Sequence, residues 1–178
     1  MIAAFAAALL LADVPPAVVA PLAATAPALP LAGAFVKPGA MLDAAARAAL
    51  PRASVDVTDP DSRSAHYAGV TLASVLAAAG APVGDAVRGA AARAYVVVGA
   101  ADHYSAIYTL AELRSSAAAC APLVADERNG APLDAKTGPL HLVAPCDLTH
   151  ARWVRNVTSL TIVVAPAEPG APAAAPGH

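Results

Sequence analysis

Charged side chains are scarce in this sequence. Asp, Glu, Lys and Arg make up 13% of the 178 residues, against roughly 25% in typical soluble domains. The formal net charge is −2, and no run of basic residues occurs. Because nucleic-acid binding requires a basic surface that neutralises phosphates, this composition argues against a nucleic-acid partner.

The motifs of several enzyme classes are also missing. The sequence contains no G-x-S-x-G nucleophile elbow, no H-E-x-x-H metal motif and no phosphate-binding glycine loop, so hydrolases, zinc peptidases and nucleotide-binding proteins have no positive support. His141, Cys146 and His150 lie close together, but their spacing fits no zinc-site pattern. We expect His141 to face outward on its strand, and we expect no metal site.

The first 28 residues are read as a signal peptide or a disordered Ala/Pro-rich leader. The apolar run from Met1 to Leu11 is too short to span a bilayer, which takes about 20 residues, but it suits the core of a secretory signal. Small residues after it offer cleavage sites, although no Lys or Arg precedes Lys37. We therefore expect a periplasmic or secreted protein with no transmembrane span.

Residues 29–165 predict one α+β domain, followed by a disordered Pro/Ala-rich tail at 166–178. The clearest helix follows Thr71 as N-cap and ends at Gly80. Asn129-Gly130 is a strong hairpin signal. Short strands are predicted at 33–36, 54–57, 95–98, 104–108, 123–125, 132–133, 140–143 and 160–164, and short helices at 42–50 and from 109.

Five segments, taken in order, carry a resemblance to a known family. They read YAGVTLASVLAAAG at 67–80, YVVV at 95–98 with DHY at 102–104, LVADERNGAPL at 123–133, GPLHLVAP at 138–145 and ARWVRNV at 151–157. This order is similar to the oxidoreductase molybdopterin-binding domain family, which has the fold of sulfite oxidase. The resemblance implies a mixed β-sheet core with short helices, and a molybdopterin cofactor.

In that family the last two segments border the pterin, and a K-S-x-K-W run serves the phosphate end. Thr149, His150 and Arg152 occupy the positions of its K, S and K before Trp153. Arg152 keeps the cation, and a guanidinium suits phosphate oxygens, whereas Thr149 and His150 depart from the pattern. Alternatively, Arg152 and Arg155 are solvated charges that flank a buried Trp153.

The family also implies a Cys thiolate, placed before the Y-x-G-V segment, that binds molybdenum. Thiolates suit such a metal, but residues 57–67 read VTDPDSRSAHY and contain no cysteine. The metal would have to be held by the pterin alone. We therefore expect no catalytic oxygen-atom transfer and no catalytic residue.

The two cysteines, Cys120 and Cys146, allow three interpretations. They form a disulfide, as an exported chain favours, or they are two unrelated thiols, or Cys146 serves as a relocated metal ligand directly after Pro145. The sequence leaves these alternatives open.

Two main hypotheses follow. The first is an exported, cofactor-free, non-catalytic module whose pocket binds a small anionic ligand or a partner. The second is a molybdopterin-dependent oxidoreductase subunit that transfers oxygen atoms or electrons beside a redox or membrane partner subunit. A weaker third is a Cys/His metal-binding exported protein. The expected pocket residues are Tyr67, His103, Tyr104, Cys146, Thr149, His150 and Arg152.

Overall fold

The computed structural model describes residues 28–61, 63–115 and 118–167. The expected leader and tail lie almost entirely outside these residues. The described strands are β1 Leu29–Gly33, β2 Met41–Leu42, β3 Arg52–Thr58, β4 Ser64–Thr71, β5 Ala94–Ala100, β6 Ser105–Thr109, β7 Leu123–Arg128, β8 Ala131–Pro132, β9 His141–Val143 and β10 Val157–Val164. The α-helices are α1 Ala44–Ala49, α2 Leu72–Ala78 and α3 Leu110–Ser115.

These strands form two sheets. The first has the order β2-β1-β10-β5-β6, and the second has the order β3-β4-β7-β8, with β9 paired to β7. All pairings are antiparallel except that of β1 with β10. Short helices connect the sheets, so the predicted α+β class is confirmed. Within the described residues, no helix combines the length and apolar character needed to cross a membrane.

The locally encoded elements lie where the sequence predicts them. The Thr71 hydroxyl accepts the Ser74 N–H at 3.1 Å and caps α2, while Gly80 adopts a φ of 97° beyond its end. Asn129 and Gly130 have φ values of 53° and 75°, which suit a type I′ turn between β7 and β8.

The first strand lies earlier than predicted. The sequence predicts it at 33–36, but β1 ends at Gly33, which has a φ of 98°. A side chain at Gly33 would collide with the backbone oxygen of Ile162. The strand is fixed by its parallel pairing with β10 and by burial of Leu29 and Leu31, neither of which is visible in local sequence.

One continuous apolar core joins the two sheets. Its members from the first sheet include Val96, Val98, Leu160 and Ile162, and those from the second include Val70, Val124 and Leu142. Trp153 is 7% exposed, so its expected burial is confirmed.

Cys120 and Cys146 form a disulfide. It joins the 3₁₀ turn Ala118–Cys120 to the segment that follows β9, across a sequence separation of 26 residues. The first of the three interpretations is therefore correct, and Cys146 has no free thiolate with which to bind a metal.

Candidate functional site

A pocket of about 290 Å³ lies where three connections meet. The turn between β5 and β6 comes from the first sheet, the β3–β4 loop comes from the second, and the segment from β9 to β10 crosses between them. The lining residues are Pro60, Ala100, Asp102, Tyr104, His141, His150, Trp153 and Arg155.

Trp153 is the centre of the aromatic contacts around this pocket. Its indole N–H donates to the Ala144 carbonyl at 2.9 Å. The ring centroids of His150 and His141 lie 4.5 Å and 5.7 Å from that of Trp153, in edge-to-face arrangements. Tyr67 packs behind them, 5.9 Å from Trp153. Such contacts stabilise aromatic groups beyond simple burial, so the wall has a fixed shape.

His141 forms the inner wall and is only 1% exposed. The expectation that it faces outward is wrong, because all three residues of β9 are buried, so both faces of this strand are covered. Neither ring nitrogen has a hydrogen-bond partner among the described residues. Burial, together with the charges of Arg155 and Arg128, lowers the pKa of His141 to about 4. The imidazole is therefore neutral at pH 7.

Hydrogen bonds hold the side chains of Tyr104 and His150 in the pocket lining. The Tyr104 hydroxyl donates to the Ala151 carbonyl, and Nε2 of His150 lies 2.9 Å from the Thr58 carbonyl, at the start of the β3–β4 loop. These bonds link the segment between β9 and β10 to the other two pocket segments, the β5–β6 turn and the β3–β4 loop. Both side chains were expected to line the pocket, and both do.

Two opposite charges also line the pocket. Arg155 is exposed and makes no hydrogen bond or ion pair within the described part of the chain. Asp102 accepts the Tyr104 N–H at 3.0 Å and forms no ion pair with Arg155. The guanidinium is thus available to a ligand.

Arg152 does not reach the pocket lining. Its guanidinium binds both Asp147 oxygens, at 2.9 Å and 2.6 Å, and a Glu112 oxygen at 2.7 Å. It also lies 4.6 Å above the ring of Tyr108. The hydrogen bonds that Arg152 donates to Asp147 and Glu112 raise its pKa further. This cation is neutralised by two carboxylates, so its expected role as a ligand for an anion does not match its surroundings.

The other expected residues lie around the pocket without lining it. Tyr67 is buried behind His141, with ring centroids 5.6 Å apart. His103 occupies the tip of the β5–β6 turn with a φ of 68°. Cys146 is held in the disulfide, and Thr149 is exposed at the start of the turn His150–Arg152.

Sequence reasoning missed six of the eight residues that line the pocket. Pro60 and Asp102 come from connecting loops and Ala100 from the end of β5. Trp153 was read as a core residue, and His141 and Arg155 were read as surface residues. The useful signal was the segment 151–157, because it places Arg155 two residues after Trp153. No local pattern reveals that β9 is covered on both faces.

The β3–β4 loop is closed by an internal ion pair. Asp59 is 3% exposed, accepts the N–H groups of Asp61 and Arg63, and pairs with Arg128. Burial raises the pKa of Asp59, but the hydrogen bond from Arg63 and the charge of Arg128 outweigh it, so the pKa is lowered overall. This loop borders the pocket through Pro60, and the contacts of the Asp59 carboxylate hold it in place.

Comparisons with known proteins agree with this architecture. The family model for the oxidoreductase molybdopterin binding domain matches residues 44–170. The sulfane dehydrogenase SoxCD from Paracoccus pantotrophus has a similar structure, with a TM-score of 0.54 and 19% sequence identity over 76% of this chain and 37% of that chain. This chain thus spans little more than a third of the length of that structure. No curated protein matches it.

Replacement of Arg152 by Gln tests its structural role. We expect the free energy of unfolding to fall by about 1–2 kcal/mol, because Asp147 and Glu112 lose their shared partner in a half-buried setting. Arg155→Gln is the matched control and should change stability by less than about 0.5 kcal/mol. Urea denaturation measures both. Equal stability of the two variants would contradict the clamp formed by Arg152, Asp147 and Glu112.

The depressed pKa of His141 makes stability fall on acidification. The unfolded imidazole takes up a proton near pH 6.5, whereas the folded one resists protonation until about pH 4. The burial of His141 therefore has no effect on the pH dependence of the free energy of unfolding above about pH 6.5. Between pH 6.5 and 4 it lowers this free energy by about 3 kcal/mol. His141→Phe should remove this decrease. Urea denaturation at several pH values gives the difference, and identical pH profiles for both proteins would contradict the assignment.

Proposed function

This chain belongs to the oxidoreductase molybdopterin-binding domain family, and on that premise we propose that it is a non-catalytic module that binds a small ligand in its pocket. The observation that carries the proposal is the state of the two cysteines. The chain contains only Cys120 and Cys146, and they are bonded to each other. No protein thiolate is available for molybdenum, which prefers soft sulfur ligands.

The loop that would present such a ligand supports the same conclusion. In the family resemblance, the metal-binding Cys precedes the Y-x-G-V segment, which here begins at Tyr67. The corresponding loop carries Asp59, whose carboxylate is committed to two backbone N–H groups and to Arg128. The Asp59 carboxylate therefore holds the loop closed and does not offer a metal ligand to the pocket.

The phosphate end of a molybdopterin would also lack its expected cation. Arg152 is occupied by Asp147 and Glu112, and Thr149 is not among the lining residues. Among the described residues, Arg155 is the one guanidinium that lines the pocket, and the Asp102 carboxylate offsets its charge. The donor set of this chain therefore does not fit the metal or the phosphate of the cofactor.

A second candidate function is that of a molybdopterin-dependent oxidoreductase subunit. The match to the family model over residues 44–170 favours it, as does the likeness in fold to a protein named as a sulfane dehydrogenase. In that case the cofactor would hold its metal without protein sulfur, beside a redox partner subunit. The Cys/His metal site has no support, because no cluster of three potential metal ligands occurs among the described residues.

Elemental analysis distinguishes the two candidates. The protein is purified from a host that makes the molybdenum cofactor, and molybdenum and phosphorus are measured per chain. We expect far less than one atom of each, because the anchoring thiolate and phosphate cation are missing. A matched preparation of a family member that has the Cys controls for cofactor supply. One molybdenum and one phosphorus per chain would overturn the proposal.

We further propose that the chain works in an oxidising compartment outside the cytoplasm. The disulfide supports this, because such bonds persist in exported proteins and are rare in the cytosol. Cells producing the chain are treated with a thiol-alkylating reagent before lysis, and the mass of the purified protein is measured. We expect no alkylation of Cys120 or Cys146. Alkylation of both cysteines before lysis would contradict the proposed location.

A further inference from the structure

The outer face of the first sheet carries no charge. The described strands of this sheet contain no Asp, Glu, Lys, Arg or His. In the second sheet, by contrast, β3 carries Arg52 and Asp56, and β7 carries Asp126, Glu127 and Arg128. We infer that the outer face of the first sheet is an interaction surface on which a second copy of the chain packs face to face. This inference does not depend on what the pocket binds.

The side chains of this face point away from the core. Residues of β5 alternate between buried and half-buried, and among the described residues the core contains Val96 but not Val97. In β10 the half-buried Thr161 lies between the buried Leu160 and Ile162. Because successive side chains of a strand point to opposite faces, one face of the first sheet lies outside the core.

The pairing register aligns the side chains of this face in rows. Ala32, Thr161, Val97 and Ile107 are successive partners across β1, β10, β5 and β6. Ile107, at the outer end of this row, is 52% exposed. A row of small and β-branched side chains suits sheet-on-sheet packing, in which two sheets lie about 10 Å apart and their side chains interdigitate.

The absence of charge favours a second copy as the occupant of this face. Two identical faces meet without the like-charge repulsion that arises when a charged surface meets itself. A different partner selected through charge would need complementary charges, and the described strands of this sheet offer none. Two copies related by a two-fold axis contribute the same patch, so the assembly closes as a dimer.

The size of the face sets the strength of the dimer. Neighbouring strands lie about 4.8 Å apart and rise about 3.3 Å per residue, so the four strands of the row give a face of roughly 20 Å by 20 Å with its side chains. Packing two such faces buries about 800–1,000 Å² in total, at the low end of specific interfaces, where complexes are weak. We therefore expect a reversible dimer with a dissociation constant on the order of 100 µM.

Sedimentation velocity of the purified chain, from about 10 µM to about 1 mM, measures this association. We expect a shift from monomer to dimer with no larger species. Because the interface contains no charge, raising the salt concentration from about 0.05 to about 0.5 M should weaken the dimer by less than about threefold. A greater weakening would contradict an uncharged interface.

A single charge near the centre of the face identifies the surface. Thr161→Lys should weaken dimerisation roughly tenfold or more, because each copy then presents a cation to the other, and Thr161→Glu should do the same. An equimolar mixture of these two variants should dimerise again, because opposite charges then meet. Ser54→Lys is the matched control, since Ser54 is an exposed strand residue of the second sheet, and it should dimerise like the native protein.

The inference is overturned if the native chain stays monomeric at about 1 mM, if Thr161→Lys dimerises like the native protein, or if Ser54→Lys loses dimerisation to the same extent. Urea denaturation shows whether each variant is folded. Ile107→Lys, at a more exposed position of the same row, decides the question if Thr161→Lys does not fold. A native chain that is monomeric throughout, and that Thr161→Lys destabilises, would mean that another part of the chain covers the face.

Discussion

The position of Trp153 determines the rest of the pocket. Its indole N–H is fixed by the Ala144 carbonyl, and the rings of Tyr67, His141 and His150 meet it edge to face. These contacts bring together β4, β9 and the segment that leads into β10. Because the cluster excludes water from the His141 ring, the inner wall of the pocket is a neutral hydrogen-bonding group rather than a cation.

In the proposed function, the chain keeps the scaffold of the family without its cofactor chemistry. The fold of the molybdopterin-binding domain family is present, but two of the expected contacts to the cofactor, Arg152 and Cys146, are engaged elsewhere. Arg152 forms ion pairs with Asp147 and Glu112, and the two cysteines of the chain form a disulfide. What remains open to a ligand is Arg155 with the aromatic wall. Function in this family therefore has to be argued from the site, because the fold alone does not determine it.

Features encoded by short stretches of sequence were predictable. The cap at Thr71 and the Asn129-Gly130 turn depend on neighbours within four residues, and both lie where expected. Features that depend on distant pairing were not. The parallel pairing of β1 with β10 sets the position of the first strand, and packing on both faces of β9 buries His141. Carboxylates five and forty residues away bind Arg152. The candidate site consists mainly of such long-range contacts, so sequence located its neighbourhood but not its lining.

The account is tested most directly by the ionisation state of His141 in the folded protein. Nuclear magnetic resonance of the ¹⁵N-labelled histidine rings, recorded from pH 8 to pH 3.5 while the chain stays folded, reports this state. The account predicts a neutral ring at pH 7 and protonation only near pH 4. A ring that is already cationic at pH 7, or that titrates at the ordinary value of about 6.5, would contradict it. A ring that is cationic at pH 7 would place a charge on the inner wall, and the pocket would then suit a different class of ligand.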